Sequence, residues 1–215
     1  MGAIQSSFAT QRNEHNNKHH YCTTSCAGRF APWPMWQVLC FLTTTMNKKL
    51  VVLDLDETLL HACHEWIGKQ PSFVISNAMI HLRPGVDDFI EAISKDFNIA
   101  IWTASYGLYT KDIIKKLFGT KTILRFVLTR EDCDPITESD GYPAFEKDTQ
   151  KILDLGWHYE DFVIVDDKPH LVKSKHLNII EVRPFYGSTT DTELFRLKER
   201  ILSILGTDLK HANKT

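Results

Sequence analysis

No stretch of about 18 consecutive apolar residues occurs in this chain, and a membrane-spanning helix needs roughly that length. The longest candidate, Ala31 to Met46, is interrupted by Pro32, Pro34 and Gln37, so no spanning helix is expected. A surplus of one charge sign is missing as well. The 25 basic residues face 27 acidic ones for a net charge of −2, which argues against a general nucleic-acid binder. Cysteine is sparse: Cys22, Cys26, Cys40, Cys63 and Cys133 are odd in number and irregular in spacing. That pattern argues against a disulfide framework and favours a reducing, intracellular compartment. The first residues carry no basic start, apolar stretch and small-residue cleavage site of a secretory signal. No internal repeat is visible.

What is present is ordinary globular material, 43% hydrophobic and 24% charged over 215 residues. That suffices for one domain of about 100–200 residues and a tail. Charge is unevenly placed. Before Leu50, Arg12, Lys18, Arg29, Lys48 and Lys49 oppose Glu14 alone, and the stretch from Gln5 to Thr24 is polar. The rest of the chain is acidic. This divides the chain into a soft basic leader over residues 1–46, a folded domain over 47–207 and a tail over 208–215.

Within the domain, two periodicities alternate. Strands are expected at Leu50–Asp54, Asn98–Trp102, Ile123–Leu128, Asp161–Val165 and Asn178–Val182, each a short apolar run. Helical spacing appears over Val86–Asp96, after Pro84-Gly85, and over Tyr106–Phe118, before Gly119. A short helix is expected over Thr149–Leu155 and a longer one over Thr190–Leu205, opened by a capping box of Thr190 and Glu193. Thr129 to Ala144 reads as polar and turn-rich. Strands alternating with helices imply an α/β fold with a parallel sheet covered on both faces.

Such sheets bind ligands at the carboxyl ends of their strands. Asp54 ends the first strand, Thr103 follows the second, and Asp166-Asp167 end the fourth. In Asp54-Leu55-Asp56-Glu57-Thr58 two carboxylates leave a strand two residues apart. One carboxylate can attack phosphorus and form an aspartyl-phosphate. The other, held close, can protonate the leaving oxygen and then deprotonate water. Their mutual repulsion favours a proton on one of them. Approach of a phosphate to carboxylates also calls for a cation, and oxygen ligands from Asp54, Asp166 and Asp167 suit Mg²⁺.

The run Asp54-Leu55-Asp56-Glu57-Thr58-Leu59 resembles the DxDxT signature of haloacid-dehalogenase-type (HAD) phosphatases. More narrowly it resembles the branch of RNA polymerase II C-terminal-domain (CTD) phosphatases and NLI-interacting-factor-like relatives. Leu82–Phe89, Trp102–Ser105, Thr129–Cys133, Glu146–Asp148 and Val165–Pro169 carry the same resemblance in the same order, from about Lys49 to Lys198. The resemblance implies a three-layer, Rossmann-like core. It implies Asp54 as nucleophile and Asp56 as general acid and base, with the Asp56 backbone carbonyl facing the metal. Thr103 would hold a phosphoryl oxygen and Lys147 would offset charge on the nucleophile. Asp167 would ligate Mg²⁺ directly, and Asp166 would support the metal shell. Arg130, Thr58 and Ser105 are taken as phosphate-binding. One departure is that the branch often carries Asp-Asn where this chain has Asp166-Asp167.

Spacing leaves room only for a flap of about Glu57–His81 and an insert of about Thr120–Glu146, each shorter than an independent domain. With no large cap, the site is open and favours a phosphorylated protein side chain over a small molecule. Trp66, Trp102, Tyr106, Tyr109 and Tyr142 could line a groove, although Trp102 fits core packing better. The implied function is an Mg²⁺-dependent phosphoprotein phosphatase acting on phosphoserine or phosphothreonine. Phosphotyrosine is the alternative, and a receiver-like phospho-aspartate switch or an idle interaction module are more remote. A receiver domain places its acid pair before the phosphorylated Asp, the reverse of the order here.

Competing readings exist for single residues. Lys151 could replace Lys147, and Arg130 could pair with Glu131 or Asp132 at the surface. His19-His20-x-Cys22-x₃-Cys26 has soft-metal character but no second ligand pair. Met1-Gly2-Ala3-Ile4-Gln5-Ser6 fits an N-myristoylation pattern with Gly2 as acceptor. A second signal, from the basic leader or an acylated cysteine, would be needed for stable peripheral membrane association. The expected location is cytoplasmic, membrane-associated if Gly2 is acylated, with the nucleus left open.

Overall fold

The computed structural model describes residues 48–119, 122–176 and 178–206. Gly2, the leader's histidines and cysteines, and the tail lie outside the described residues. In chain order the strands are β1 (Leu50–Leu53), β2 (Leu60–Cys63), β3 (Phe73–Ile75), β4 (Ala78–Leu82), β5 (Asn98–Trp102), β6 (Leu124–Leu128), β7 (Asp134–Thr137), β8 (Pro143–Asp148), β9 (Phe162–Asp166), β10 (Val172–Lys173) and β11 (Ile179–Glu181). The helices are α1 (Val86–Asp96), α2 (Gly107–Leu117), α3 (Gln150–Asp154) and α4 (Glu193–Leu205).

β1, β5 and β9 are buried at every residue, as strands covered on both faces must be. They form the middle of a parallel five-stranded sheet in the order β11-β9-β1-β5-β6. Their side chains alternate between two cores. Val51, Leu53, Ile99, Ile101, Val163 and Val165 meet the apolar stripes of α1, α2 and α4. Leu50, Val52, Ala100, Trp102, Phe162 and Ile164 meet Ile152 of α3 together with Cys133 and Val172. This gives the three layers expected from the alternating periodicities.

The flap and the insert are more ordered than their sequence suggests. β2, β4 and β3 form an antiparallel sheet in that order. The β3–β4 turn uses Ser76 (φ 47°) and Asn77 (φ 69°), the left-handed pair that a two-residue hairpin turn requires. In the insert, the stretch read as polar turns contains β7 and the start of its antiparallel partner β8, and β10 adds in parallel to β8. Pro135 sits in β7, an outer strand of this second sheet, where a missing N–H is tolerated.

The expected capping box of α4 does not form. The helix starts at Glu193, and the hydroxyl of Thr190 lies 3.1 Å from that of Ser188. The Glu193 carboxylate turns to Arg183 and Arg200. Asp191 accepts the Glu193 N–H at 3.0 Å instead, because tertiary structure holds Asp191 in place. Its carboxylate takes two bonds from the buried Arg83, from Nε at 2.8 Å and Nη2 at 2.9 Å. Arg83 also donates to the carbonyls of Thr58 and Arg183. One guanidinium thus ties the turn after β1 to the segment leading into α4.

Removing Asp191 leaves that guanidinium buried without its counter-charge. Asp191→Ala is therefore expected to cost about 3–5 kcal/mol of stability in urea unfolding at neutral pH. Burial works to raise the Asp191 carboxyl, but the bonds from Arg83 and Glu193 hold it below its ordinary value of 3.8. The folded value is the lower one, so the stabilisation is present above 3.8 and fades as pH falls through the folded value. The gap between wild type and variant should narrow in acid.

The strand order decides where ligands can bind. From β1 the chain runs outward to β5 and β6, then returns to the other side for β9 and β11. The reversal lies between β1 and β9, and the crevice beyond their carboxyl ends is the natural site. Among the described residues, no helix is long and apolar enough to cross a membrane.

Candidate active site

The Asp54 N–H donates to the Val165 carbonyl at 3.0 Å, extending the β1–β9 pairing by one residue and setting Asp54 beside Asp166. The chain then turns sharply, with the N–H groups of Thr58, Leu59 and Leu60 all directed at the Leu55 carbonyl. Leu55 and Leu59 are fully buried anchors. They leave Asp56 and Glu57 facing a cleft of about 230 Å³. Glu57 has φ 61°, and its backbone is held by Leu60 and Phe185. On the β5 side, the Thr103 N–H bonds to the Leu128 carbonyl. Its Oγ1 accepts the Ser105 N–H at 3.1 Å, which leaves the Thr103 hydroxyl hydrogen available.

β8 delivers Lys147 from below. The residue is 4% exposed, and its ammonium lies 2.8 Å from Asp54 Oδ1 and 2.6 Å from Asp166 Oδ2. Lys147, and not Lys151, is the lysine that reaches Asp54 and lines the cleft. Asp166 Oδ1 accepts the Lys168 N–H. Asp167 Oδ2 is buried without a partner. Carboxylate oxygens of Asp54, Asp166 and Asp167 lie within 4.8 Å of one another. An all-oxygen donor set with one orphaned oxygen fits a hard divalent cation such as Mg²⁺.

Electrostatics agree with that fit. Burial pushes the Asp54 carboxyl up to about 8, opposed by Lys147 and reinforced by Asp166 and Asp56. Burial and then Asp166 push Asp167 up to about 6. Burial alone would lower the Lys147 ammonium, but Asp54 and Asp166 hold it above the usual lysine range. The buried acids outnumber the one buried ammonium, and a cation would relieve the excess.

Ser105 and Arg130 line the cleft as expected, but in particular ways. The Ser105 hydroxyl is committed to Asp56 Oδ2 at 2.6 Å, and Tyr109 donates to Asp56 Oδ1 at 2.9 Å. Burial and the Asp56 charge raise the Tyr109 phenol above its usual range, so it stays a donor. Arg130 Nε donates to the Ala104 carbonyl, and its guanidinium lies 4.0 Å from the Tyr106 ring centroid and 4.5 Å from that of Phe145. Two aromatic faces orient the fork. Glu131 and Asp132 bond Thr129 and Gly107 instead of forming the surface pair considered above. Thr58 does not reach the cleft. It is fully buried, its hydroxyl has no partner, and its carbonyl serves Arg83.

A second groove of about 270 Å³ adjoins Asp56 and Ser105, walled by Tyr106, Tyr109, Ala62, His64, Ile75 and Ala78. Of the five aromatics expected, Tyr106 and Tyr109 line it. Trp102 is core at 1% exposed, while Trp66 and Tyr142 stand exposed outside both pockets. Glu57, Phe145 and Lys168 line the cleft unanticipated. For Lys168 the signal was adjacency to the acid pair; for Phe145 there was none.

The sequence model of NLI interacting factor-like phosphatases matches residues 49–210. CTD nuclear envelope phosphatase 1B of Danio rerio is 29% identical over 170 residues, 71% of this chain and 65% of its own length. Phosphatase PSR1 of Saccharomyces cerevisiae is 28% identical over 159 residues, 70% of this chain and 35% of its own. The chain thus spans less than two thirds of these relatives. Among solved structures, that of Fcp1, an essential RNA polymerase II CTD phosphatase, aligns with a TM-score of 0.50 at 20% identity, over 79% of this chain and 52% of that one. The structural likeness carries the HAD-type fold, and with the match over residues 49–210 the chain belongs to the NLI interacting factor-like phosphatase family.

Proposed function

We propose that the protein is an Mg²⁺-dependent phosphoprotein phosphatase that works through a phosphorylated Asp54, on phosphoserine or phosphothreonine. The observation that carries this reading is the Lys147 ammonium bridging Asp54 and Asp166 beneath an open cleft that Asp56 also faces. Lys147 occupies Asp54 Oδ1, so Oδ2 is the oxygen available to attack phosphorus. As the Asp54–phosphorus bond forms, the ester bond breaks and the leaving oxygen takes a proton from Asp56. A water then gives its proton to Asp56 and attacks phosphorus, and the Asp54–phosphorus bond breaks. Thr103 and Arg130 offer hydrogen-bond donors to the phosphoryl oxygens throughout. Mg²⁺ held by Asp54, Asp166 and Asp167, with the Asp56 carbonyl, would neutralise charge between nucleophile and phosphate.

A protein substrate is favoured by the small flap and insert, which leave the cleft open, and by the adjoining groove, which has room for a neighbouring side chain. The family and these relatives are named as phosphatases, which supports the phosphatase part of the proposal. The accompanying reading is a cytoplasmic protein, peripherally membrane-associated if Gly2 is acylated, with the nucleus left open. Rates on phosphoserine, phosphothreonine and phosphotyrosine peptides, against sugar and nucleotide phosphates at saturating Mg²⁺, test the proposal. Faster turnover of the small phosphates would overturn it.

Cation binding should depend on pH in a defined direction. Asp54 and Asp167, raised to about 8 and about 6, must lose protons to ligate. Mg²⁺ affinity, followed by calorimetry without substrate, should therefore weaken as pH falls from 8 to below 6. Affinity flat across that range would contradict the ligand set.

A further inference from the structure

Asp56 stands on the tight turn after β1, and nothing in its own segment is bonded to its carboxylate among the described hydrogen bonds. Both of its holders come from across the cleft. Ser105 lies just before α2 and donates to Oδ2, while Tyr109, in the first turn of α2, donates to Oδ1. Two donors, one on each oxygen, define the plane of the carboxylate as well as its position. Tyr109 has a second surface: its ring walls the apolar groove beside Asp56. The residue that holds the acid–base group therefore also borders the space beside the substrate.

We propose that Tyr109 is a positioning residue which, with Ser105, aims the Asp56 carboxyl at the leaving oxygen and links that aim to the wall of the adjoining groove. The inference rests on the phosphatase reading and deepens it. In the step that loads Asp54, the proton moves from Asp56 to the departing ester oxygen as the ester bond breaks. An alkoxide leaving group needs that proton badly, and a stabilised aryloxide needs it little. Misplacing the donor must therefore penalise alkyl esters more than aryl esters.

The test is Tyr109→Phe, which deletes the hydroxyl and keeps the ring. The quantity to measure is kcat/KM, which reports the loading step, on a phosphoserine peptide and on p-nitrophenyl phosphate at saturating Mg²⁺. The ratio of alkyl to aryl kcat/KM is expected to fall by about tenfold or more. Ser105→Ala should move the ratio the same way. The double variant should lose less than the product of the two single losses, because both hydroxyls hold one group. Equal losses on both esters would mark a structural role and overturn the inference. An unmoved ratio in an active enzyme would overturn it while leaving the phosphatase reading standing. A wild-type protein that releases phosphate from neither ester would overturn both.

Discussion

Asp54→Asn is expected to stop phosphate release, by ~10⁴-fold or more, without loss of the fold. The amide removes the attacking carboxylate oxygen and so prevents the covalent intermediate. The fold should survive because Asp54 contributes charge the domain would sooner be without. Its carboxyl is raised from 3.8 to about 8 by burial and by Asp166 and Asp56. A raised folded value means that at neutral pH the ionised form is less favoured folded than unfolded. Exchanging it for a neutral amide removes that penalty, and Lys147 keeps its 2.6 Å bond to Asp166. Phosphate release and thermal unfolding measured on one preparation check both halves. Turnover near the wild-type rate would end the nucleophile assignment, and a collapsed melting temperature would mean that Asp54 is mainly structural.

Asp56→Asn should slow turnover by ~10²–10⁴-fold, the range for loss of a placed acid–base group. The substitution keeps an acceptor for one of the two hydroxyls now on the carboxylate, so binding should change less than the rate. The loss should be deepest for alkyl esters, whose leaving oxygen most needs a proton. Peptide KM within a few-fold of wild type, beside a large fall in kcat, is the expected signature. A rise in KM that accounts for the whole loss would reassign Asp56 to substrate binding.

Much of the core was legible because the physics there is local. β1, β5 and β9 appear as apolar runs since both faces are buried, and α1 and α2 as stripes since one face is. The carboxylates could be placed together because strands of a parallel sheet end on one edge. The flap was harder. β2 to β4 hold few residues each, and their signal lay in the Ser76-Asn77 turn after the β-branched pair Val74-Ile75. The α4 cap failed for a different reason. Thr190 and Glu193 had suitable spacing, but Arg83, far away in the chain, recruited Asp191 and moved the helix start.

Residue order alone determined the class of fold, the pair of carboxylates two residues apart and the strands that deliver the remaining groups. Those follow from periodicity and from the chemistry of short motifs, which act over a few residues. Tertiary structure decided which partner each group has: Lys147 between Asp54 and Asp166, Arg130 between two rings, Ser105 and Tyr109 on Asp56, and Thr58 turned into the core. Hydrogen bonds and charge interactions are made over a few ångströms between segments distant in the chain. Their partners exist only after the sheet has brought those segments to one edge.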